Sequence, residues 1–523
     1  MQRVSFISLY DEYCFNLRYA SSMLRSDGRQ TFITLFKGLQ YLTPPSGSPD
    51  EYEYCGHRTC ASSQEISLLL EALDDQKPDL IVLYFDSPCF GLARFLTRKI
   101  KQRRRSPVVW AGADSTRHPA DNIQFADIVC IGESEYPIRF LVDRLEQKQD
   151  FSDIPSLWVK KQGGVHQNPM LHLESVLDRL PWPDFDPERQ WAIAGDRIQR
   201  GICPPRSLMP VQVPIAASRS CPFTCPQCGA GHDGLVFEPQ ESVRLRSVSS
   251  VLDELKYRLQ TWPWPVERIE FRDEPAPLEA DWLAEFAERY PTEIAMPCFG
   301  ETRAQSAGPD EYRMLRQAGM FAMILQISAG RGKTEEFRES IIQTANHIHD
   351  AGMKLLCKIA ADDPLESEAD RQQTLNLLHR FPKGFGIVDN TPFSFSRNCA
   401  IYQAIEGKGL LDQFEQPDGE HAFQEKSMQD FRFWDCIYKL AQFEDIDSLC
   451  LDDFVQDEYM RRHLDALEGM IHNLYKTTYV SGSPVMEKDR HVQSLRNRLT
   501  ESHNLASEAP VRILREWMQS FRS

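Results

Sequence analysis

Three cysteines stand close together in the stretch "SCPFTCPQC", residues 220–228, at a spacing that suits metal binding. Cys221, Cys225 and Cys228 follow the apolar run "VPIAAS", which predicts a strand leading into a short loop. Thiolates spaced by four and three residues on one loop can occupy three corners of a cubane iron–sulfur cluster and leave the fourth iron open. Two alternatives stay open: a zinc site, which His232 could complete, and unrelated thiols.

Composition limits the classes of protein to consider. The chain has 523 residues, of which 41% are apolar and 26% charged, a soluble globular balance that predicts about three domains. The net charge of −17 argues against general nucleic-acid binding, which needs a positive field. The basic run "RKIKQRRR", residues 98–105, is interpreted as a solvated helix end rather than an anion site.

The sequence also predicts a cytoplasmic protein. No run of about 18 apolar residues predicts a transmembrane segment, and "MQRVSFISLYDEYCF" lacks the features of a secretory signal. In a reducing compartment, a local cysteine cluster more often binds metal or does redox chemistry than forms disulfides. The other eleven of the fourteen cysteines are interpreted as small buried hydrophobic residues.

Residues 1–150 predict a doubly wound, Rossmann-like domain. Apolar runs such as "VSFISLY", "DLIVLYF" and "PVVWAG" alternate with helical patterns, as in a parallel sheet covered on both faces. A ligand of such a sheet binds at the carboxyl ends of the strands. No GxGxxG follows the first strand, so a dinucleotide is not indicated.

The rest of the chain divides into three parts. Residues 151–210 are rich in proline and tryptophan and are interpreted as a linker. Residues 211–400 hold six strand–helix units, from "VPIAAS" to "GFGIVDNTPFSF", which predict a partial (β/α)6 TIM-type barrel. Strand signals stop near residue 401, and residues 401–523 predict a helical C-terminal region. The predicted fold class is therefore α/β.

This pattern resembles the radical S-adenosylmethionine enzymes, and in particular their cobalamin-binding branch. The resemblance covers residues 1 to about 410 and is most specific in "SRSCPFTCPQC". Further matches are "PVVWAGADSTRHPADNIQFADIVCIGESEYPIRFLVDRLEQ", in which "GESE" replaces the usual GEGE, and the connector "LDRLPWPDFD". The segments "IEFRDEP", "LRQAGMFAMILQISAG" and "HIHDAGMKL" fall where later barrel elements should.

The resemblance implies a 4Fe–4S cluster bound by Cys221, Cys225 and Cys228, whose open iron chelates S-adenosylmethionine. One electron then cleaves the sulfonium and gives a 5′-deoxyadenosyl radical. The cofactor carries this chemistry, while the protein supplies placement and exclusion of water. The implied S-adenosylmethionine contacts are Phe223, Gln227, Asp273, Glu274, Glu301, Arg303, Gln326 and Ser328.

Each of these contacts has a simpler interpretation. Asp273 and Glu274 could cap the helix that begins in "DEPAPLEADW". Gln326 and Ser328 could lie on a solvated strand face, since they alternate with apolar residues. The remaining alternatives are an ion pair between Glu301 and Arg303, and core packing of Phe223.

The resemblance also implies cobalamin. The DxHxxG motif with a cobalt-binding histidine is absent, as is common in this branch, so cobalamin would be held by the loops at 9–18, 86–93, 112–115 and 132–135. A doubly wound domain that has lost its ligand is the alternative. The implied cobalamin contacts are Leu9, Tyr10, Arg18, Ser87, Gly112, Ser115, Gly132 and Glu133.

The reaction implied by the resemblance is methylation of an unactivated carbon by way of methylcobalamin, a relay that needs both cofactors close to one substrate. The substrate is expected to be a small molecule, natural product, peptide or lipid, and the electron donor a protein such as flavodoxin or ferredoxin. A rearrangement or cyclisation without methylation, with or without cobalamin, is the alternative. A zinc-binding interaction protein is a remote alternative.

Overall fold

A computed structural model describes most of the first 442 residues and three later positions. The described residues are 2–38, 52–55, 59–161, 163–201, 211–223, 243–273, 275–327, 334–359, 363, 365–388, 394–396, 400–415, 421–425, 429–442, 464, 468 and 471. They form two compact units: residues 1–204, 216–265 and 394–425, and residues 205–215, 266–393 and 426–523. This division follows compactness alone, so the functional domain boundaries at 150, 210 and 400 stay predictions.

Helices and strands alternate along most of the described chain, so the α/β class is confirmed. The helices are α1 Phe15–Ser26, α2 Ser63–Gln76, α3 Phe90–Arg103, α4 Ala113–Arg117, α5 Pro119–Asn122, α6 Glu135–Glu146, α7 Val248–Thr261, α8 Ala280–Glu293, α9 Pro309–Ala318, α10 Glu335–Asp350, α11 Glu368–Leu378, α12 Ala400–Gly407 and α13 Gln429–Ala441. The strands are β1 Arg3–Leu9, β2 Gln30–Phe36, β3 Tyr54–Cys55, β4 Cys60–Ala61, β5 Leu80–Tyr84, β6 Val108–Ala111, β7 Ile128–Cys130, β8 Leu157–Lys161, β9 Gly164–Gln167, β10 Gln190–Ala194, β11 Arg197–Arg200, β12 Gln212–Ile215, β13 Ser218–Arg219, β14 Arg244–Leu245, β15 Arg268–Phe271, β16 Cys298–Arg303, β17 Met320–Ile327, β18 Lys354–Ile359, β19 Gly386–Ile387, β20 Ser394–Ser396, β21 Phe414–Glu415 and β22 Ala422–Glu425.

The first unit is built around a nine-stranded sheet. Its strand order is β11-β10-β2-β1-β5-β6-β7-β8-β9, and the five central strands are parallel. Strands β5, β6 and β7 are buried at every residue, because helices cover both faces of the sheet. The predicted parallel apolar strands are therefore present. We call the carboxyl ends of these strands the ligand edge, because parallel sheets of this kind bind ligands there.

The segment interpreted as a linker extends this sheet. Strand β10 pairs with β2 in parallel, and β11 pairs with β10 in antiparallel orientation. At the opposite edge β8 pairs with β7 and β9 with β8, again antiparallel. Residues 157–200 thus complete both edges of the first sheet, while their prolines lie outside these four strands.

Glycine 112 shows why the ligand edge needs a residue without a side chain. It follows β6 with φ of 102°, a conformation that L-residues rarely adopt. A Cβ at this position would lie 2.7 Å from the carbonyl oxygen of Phe85 in the next strand end. The turn can therefore bring the chain close to its neighbour only because residue 112 is glycine.

The second unit contains a six-stranded sheet in the order β12-β15-β16-β17-β18-β19. All neighbouring pairs are parallel, and the strand order follows the sequence, as the six predicted strand–helix units require. Strands β16 and β18 alternate buried and half-exposed residues along much of their length. One face is therefore the core, and the other carries partly exposed side chains.

The region beyond residue 400 is not purely helical in its described part. Strands β20, β21 and β22 form a three-stranded antiparallel sheet, and helix α13 follows. Within the described residues, none of the helices combines the length and apolar character needed to cross a membrane.

Candidate functional site

The cysteine loop leaves and re-enters a short antiparallel ladder in the first unit. Strands β13 and β14 pair Ser218 with Leu245 and Arg219 with Arg244, so the two ends of the loop are adjacent. Cys221 lies just beyond the ladder and is exposed. Cys225, Cys228 and Gln227 lie outside the described residues, so their predicted cofactor contacts stay predictions.

Four charged side chains anchor this ladder to the loop that follows β7, the "GESE" segment. Arg219 binds Glu135 at 2.6 Å and Glu133 at 3.1 Å. Arg244 binds both carboxylate oxygens of Glu133, at 2.6 and 3.2 Å. Two arginines directly opposite each other would repel, so the two glutamates are needed to neutralise them.

Burial makes these contacts stronger than surface ion pairs. The side chains of Arg219, Arg244 and Glu135 are 11%, 9% and 2% exposed. Burial alone would raise the pKa of Glu133, but Arg219 and Arg244 outweigh it and hold that pKa below its ordinary value. The four charges therefore fix both ends of the cysteine loop to one strand end of the first sheet.

The half-exposed face of the second sheet gathers three polar side chains from adjacent strands. Gln326 of β17 donates a hydrogen bond to Glu301 of β16 at 2.5 Å, and the Lys358 ammonium of β18 lies 3.4 Å from the other oxygen of Glu301. Arg303 is the register partner of Gln326 and lies on the same face. The structure thus places Glu301, Arg303 and Gln326, three of the implied S-adenosylmethionine contacts, on one face of the second sheet.

This face also contains residues that the sequence did not identify. Lys358 was missed because it lies inside an apolar strand, although its alternation with Leu355 and Cys357 was a visible signal. A small pocket on the face is lined in part by Glu270, Phe271, Arg272, Phe299 and Glu301. Glu270 accepts a hydrogen bond from Gln212 at 2.6 Å and binds Arg272 at 2.8 Å.

The remaining predicted S-adenosylmethionine contacts are placed differently. Asp273 follows β15 and is buried, with 4% exposure. Phe223 is half-buried in the first unit. Glu274 and Ser328 lie outside the described residues. The roles of these four residues toward S-adenosylmethionine stay predictions.

At the ligand edge of the first sheet, several predicted cobalamin contacts are buried. Leu9 ends β1 and Tyr10 follows it, with 2% and 1% exposure. The Tyr10 hydroxyl donates to the carbonyl oxygen of Cys60 and accepts from its amide, both at 2.9 Å. Burial raises the pKa of Tyr10 above its ordinary value, so it is a neutral anchor of the β4 segment.

Two serines at the same edge fit a polar ligand. Ser87 and Ser115 are 4% and 0% exposed, and among the described residues neither hydroxyl has a hydrogen-bond partner. A buried hydroxyl without a partner costs about 1–3 kcal/mol, so such groups normally have one. The hydroxyl of Thr59, which precedes β4, is also buried and also has no hydrogen-bond partner among the described residues. These hydroxyls fit the amide side groups and phosphate of cobalamin.

Three further predicted cobalamin contacts stabilise the protein's own structure. Arg18 donates to carbonyl oxygens of Tyr13, Glu12 and Asp184, and to the side chain of Gln190, so its guanidinium anchors α1. Glu133 belongs to the ion-pair cluster described above. Gly132 follows β7 with φ of 74°, a conformation that favours glycine, and a Cβ there would lie 2.7 Å from the sulfur of the flexible Met170 side chain. Their roles toward cobalamin stay predictions.

Comparison with known proteins gives structural relatives only. No protein-family model and no curated protein matches this chain. A cobalamin-dependent S-adenosylmethionine radical enzyme, OxsB, with aqua-cobalamin bound, has a TM-score of 0.60 at 13% identity, over 96% of this chain and 76% of that one. The radical S-adenosylmethionine methyltransferase TsrM from Kitasatospora setae, with tryptophan substrate and a S-adenosylmethionine analogue bound, has a TM-score of 0.58 at 12% identity, over 90% and 99%.

A second TsrM structure, with cobalamin and a [4Fe-4S] cluster bound, has a TM-score of 0.55 at 13% identity, over 78% of this chain and 75% of that one. These likenesses extend over both units of the chain. The protein therefore has the fold of the cobalamin-dependent radical S-adenosylmethionine enzymes.

Proposed function

We propose that this protein is a cobalamin-dependent radical S-adenosylmethionine enzyme that methylates an unactivated carbon. The observation that carries the proposal is the Cys221–Cys225–Cys228 spacing within a chain that shares its fold with OxsB over 96% of its length. The tryptophan bound to TsrM supports a small molecule as the substrate, and natural products and lipids are further classes that we propose. A protein such as flavodoxin or ferredoxin supplies the electron.

The proposal assigns roles to named side chains. The three cysteines hold a 4Fe–4S cluster, and Arg219 and Arg244 position the ends of their loop. Glu301, Arg303 and Gln326 hold charged and hydroxyl groups of S-adenosylmethionine, since a carboxylate, a guanidinium and an amide match its ammonium, carboxylate and ribose. We further propose that the six parallel strands of the second unit form the partial (β/α)6 barrel.

The first unit is proposed to bind cobalamin along its ligand edge. Ser87 and Ser115 would donate hydrogen bonds to its polar groups, which removes the cost of their unpaired hydroxyls. When bound, the cluster with S-adenosylmethionine supplies radical generation and cobalamin supplies methyl transfer. The protein's own contribution is to hold these groups in place and to exclude water.

Anaerobic reconstitution of the full chain tests this function. Iron and sulfide should bind in the ratio of a 4Fe–4S cluster, and dithionite should elicit 5′-deoxyadenosine from S-adenosylmethionine. Added hydroxocobalamin should remain bound through gel filtration. The Cys221→Ala/Cys225→Ala/Cys228→Ala variant should lose iron and 5′-deoxyadenosine formation together, while the exposed-cysteine control Cys55→Ala should keep both.

Three results would contradict parts of the proposal. Reconstituted protein without iron and sulfide would exclude the enzyme class. Iron binding without retained corrinoid would exclude cobalamin. With a candidate substrate and S-adenosylmethionine carrying a deuterated methyl group, a product of unchanged carbon count would replace methylation by rearrangement or cyclisation.

A further inference from the structure

One cluster of metal-ligand side chains lies apart from the cysteine loop. Asp114, His118 and His421 each offer one ligand atom, and these atoms lie within 4.8 Å of one another. Asp114 is fully buried, His118 is 7% exposed, and the side chain of His421 is 11% exposed. All three belong to the first unit.

Local backbone structure places the first two ligands on one side of a helical turn. Asp114 lies in the first turn of α4, and His118 follows four residues later at its end. The amide of His118 donates to the carbonyl oxygen of Asp114 at 2.8 Å, so the turn remains helical between them. Residues four apart on a helix share a face, which is the spacing that metal-binding helices use for paired ligands.

His421 completes the set from a segment about 300 residues later in the chain. Its Nδ1 lies 2.9 and 3.0 Å from the two carboxylate oxygens of Asp114. Its ring stacks on Phe90 with 3.6 Å between centroids and lies 4.4 Å from the His118 ring. The imidazole is therefore held in a fixed orientation toward the carboxylate and the second histidine.

The surroundings provide the supporting contacts that metal ligands normally have. Asn122 donates to the Oδ2 of Asp114 at 2.9 Å and so orients the carboxylate. The carboxylate of Asp121 lies 3.7 Å from Nε2 of His421, where it stabilises the ring nitrogen that does not face Asp114. A carboxylate or carbonyl behind each ligand fixes the tautomer of a histidine and strengthens its binding to metal.

From this geometry we propose that Asp114, His118 and His421 bind one zinc ion, separate from the iron–sulfur cluster. Two imidazoles and one carboxylate suit zinc, which takes nitrogen and oxygen ligands at about 2.0–2.2 Å, and a fourth position remains for water. Zinc would take the place of the contact between Nδ1 of His421 and the carboxylate of Asp114. It would thereby bind the β22 segment to the α4–α5 turn within the first unit.

The test uses the full chain with Cys221, Cys225 and Cys228 changed to alanine, so that zinc cannot bind at those thiols. After chelator treatment and addition of zinc chloride, we expect one zinc per chain after gel filtration. X-ray absorption at the zinc edge should show only nitrogen and oxygen neighbours, which are distinguishable from sulfur at about 2.3 Å. Zinc should also raise the midpoint temperature of unfolding.

Matched variants separate this site from adventitious binding. His421→Ala and Asp114→Asn should each lower zinc affinity at least tenfold and abolish the thermal shift, whereas the exposed-histidine control His166→Ala should change neither. Circular dichroism without metal checks that the variants are folded. Sulfur ligation, no stoichiometric zinc, or unchanged zinc affinity in both folded variants would overturn the proposal and leave a hydrogen-bonded Asp–His pair. The zinc proposal is independent of the proposed function. If the protein shows no radical chemistry but binds zinc at these three residues, the zinc proposal still holds.

Discussion

The parallel strands of the two large sheets differ in how their faces are exposed to solvent. In the first, β5 carries five consecutive buried residues, and β6 and β7 are equally enclosed. In the second, β16 alternates buried and half-exposed residues, with Glu301 and Arg303 on the open face. A sheet covered on both sides can offer polar groups only where its strands end, while a sheet with one open face can offer them along its strands.

This difference teaches how sequence pattern reports the place of chemistry. An unbroken apolar strand, such as Leu80–Tyr84, indicates that ligand groups must be sought in the loop after it. An alternating strand, such as Cys298–Arg303, indicates that the polar residues of the strand are themselves candidates. Ser87 and Ser115, whose hydroxyls have no partner among the described residues, lie in loops after unbroken apolar strands. Glu301 and Gln326 lie within alternating strands.

The same substitution in the two sheets should have very different costs. Val82→Asn buries an amide without a partner and removes apolar contact, so we expect about 3–5 kcal/mol of destabilisation and little soluble protein. Ile324→Asn lies on the half-exposed face of β17 and should cost about 1 kcal/mol. Urea unfolding of both variants measures this, and equal costs would break the comparison.

Removal of one charge from the ion-pair cluster should have the next largest effect. Glu133→Gln leaves Arg244 without its two charged hydrogen bonds, and we expect about 2 kcal/mol of destabilisation and incomplete iron incorporation. Glu188→Gln, at an exposed position, is the control and should match the wild type. Full stability and iron content in Glu133→Gln would show that the ladder does not depend on this anchor.

The Glu133 pKa gives this cluster a pH signature. Because the folded protein holds that pKa below its ordinary value of 4.5, the contribution is complete above about pH 4.5 and is lost as the pH falls through the lower, folded value. Unfolding free energies measured between pH 6 and about pH 3 should therefore fall more steeply for the wild type than for Glu133→Gln. Parallel curves would contradict the assigned cause.

On the open face of the second sheet, the expected effect is on binding rather than folding. Glu301→Gln keeps the shape but loses the charge that faces Lys358 and Gln326, so S-adenosylmethionine should bind about tenfold more weakly, equivalent to about 1.4 kcal/mol. Calorimetry on reconstituted protein measures this affinity, with the exposed Glu336→Gln as control. Unchanged affinity would remove Glu301 from the proposed site.

The smallest effects are expected at the ligand edge of the first sheet. Ser87→Ala and Ser115→Ala remove buried hydroxyls that have no partner among the described residues, so each variant without corrinoid should gain about 1 kcal/mol of stability, the low end of the cost of such a hydroxyl. Hydroxocobalamin affinity should fall several-fold for each, near the 1 kcal/mol of one hydrogen bond. Exposed Ser26→Ala is the control, and a drop in stability without a drop in affinity would contradict the assignment.

Much of the architecture could be predicted from local pattern. The apolar runs around Val82, Trp110 and Val129 predicted the central strands of the first sheet, and all three are strands. The six strands of the second sheet also overlap the predicted runs, because apolar strands that pack against helices leave a strong local pattern. Glu301 and Gln326, two of the S-adenosylmethionine contacts that the resemblance implies, lie on neighbouring strands and form a hydrogen bond.

Long-range partners could not be predicted in the same way. Glu133 pairs with Arg219 and with Arg244, the latter 111 residues away, and the resemblance of the GESE segment did not indicate either pair. The hydrogen bond between Arg219 and Glu135 joins residues that are 84 positions apart. A contact over that distance leaves no periodic pattern in the sequence. Proline-rich composition likewise concealed strands β8–β11, since these strands are short and lie between the prolines.

The late pairing of Gln190–Ala194 with Gln30–Phe36 has a consequence for synthesis. While the ribosome has made only the first 150 residues, β2 presents a bare edge with unpaired amides and carbonyls, the kind of edge that joins chains into aggregates. The edge of β2 becomes paired only after residue 194 has emerged from the ribosome. A soluble N-terminal fragment should therefore end no earlier than residue 201, beyond the strand that closes this edge.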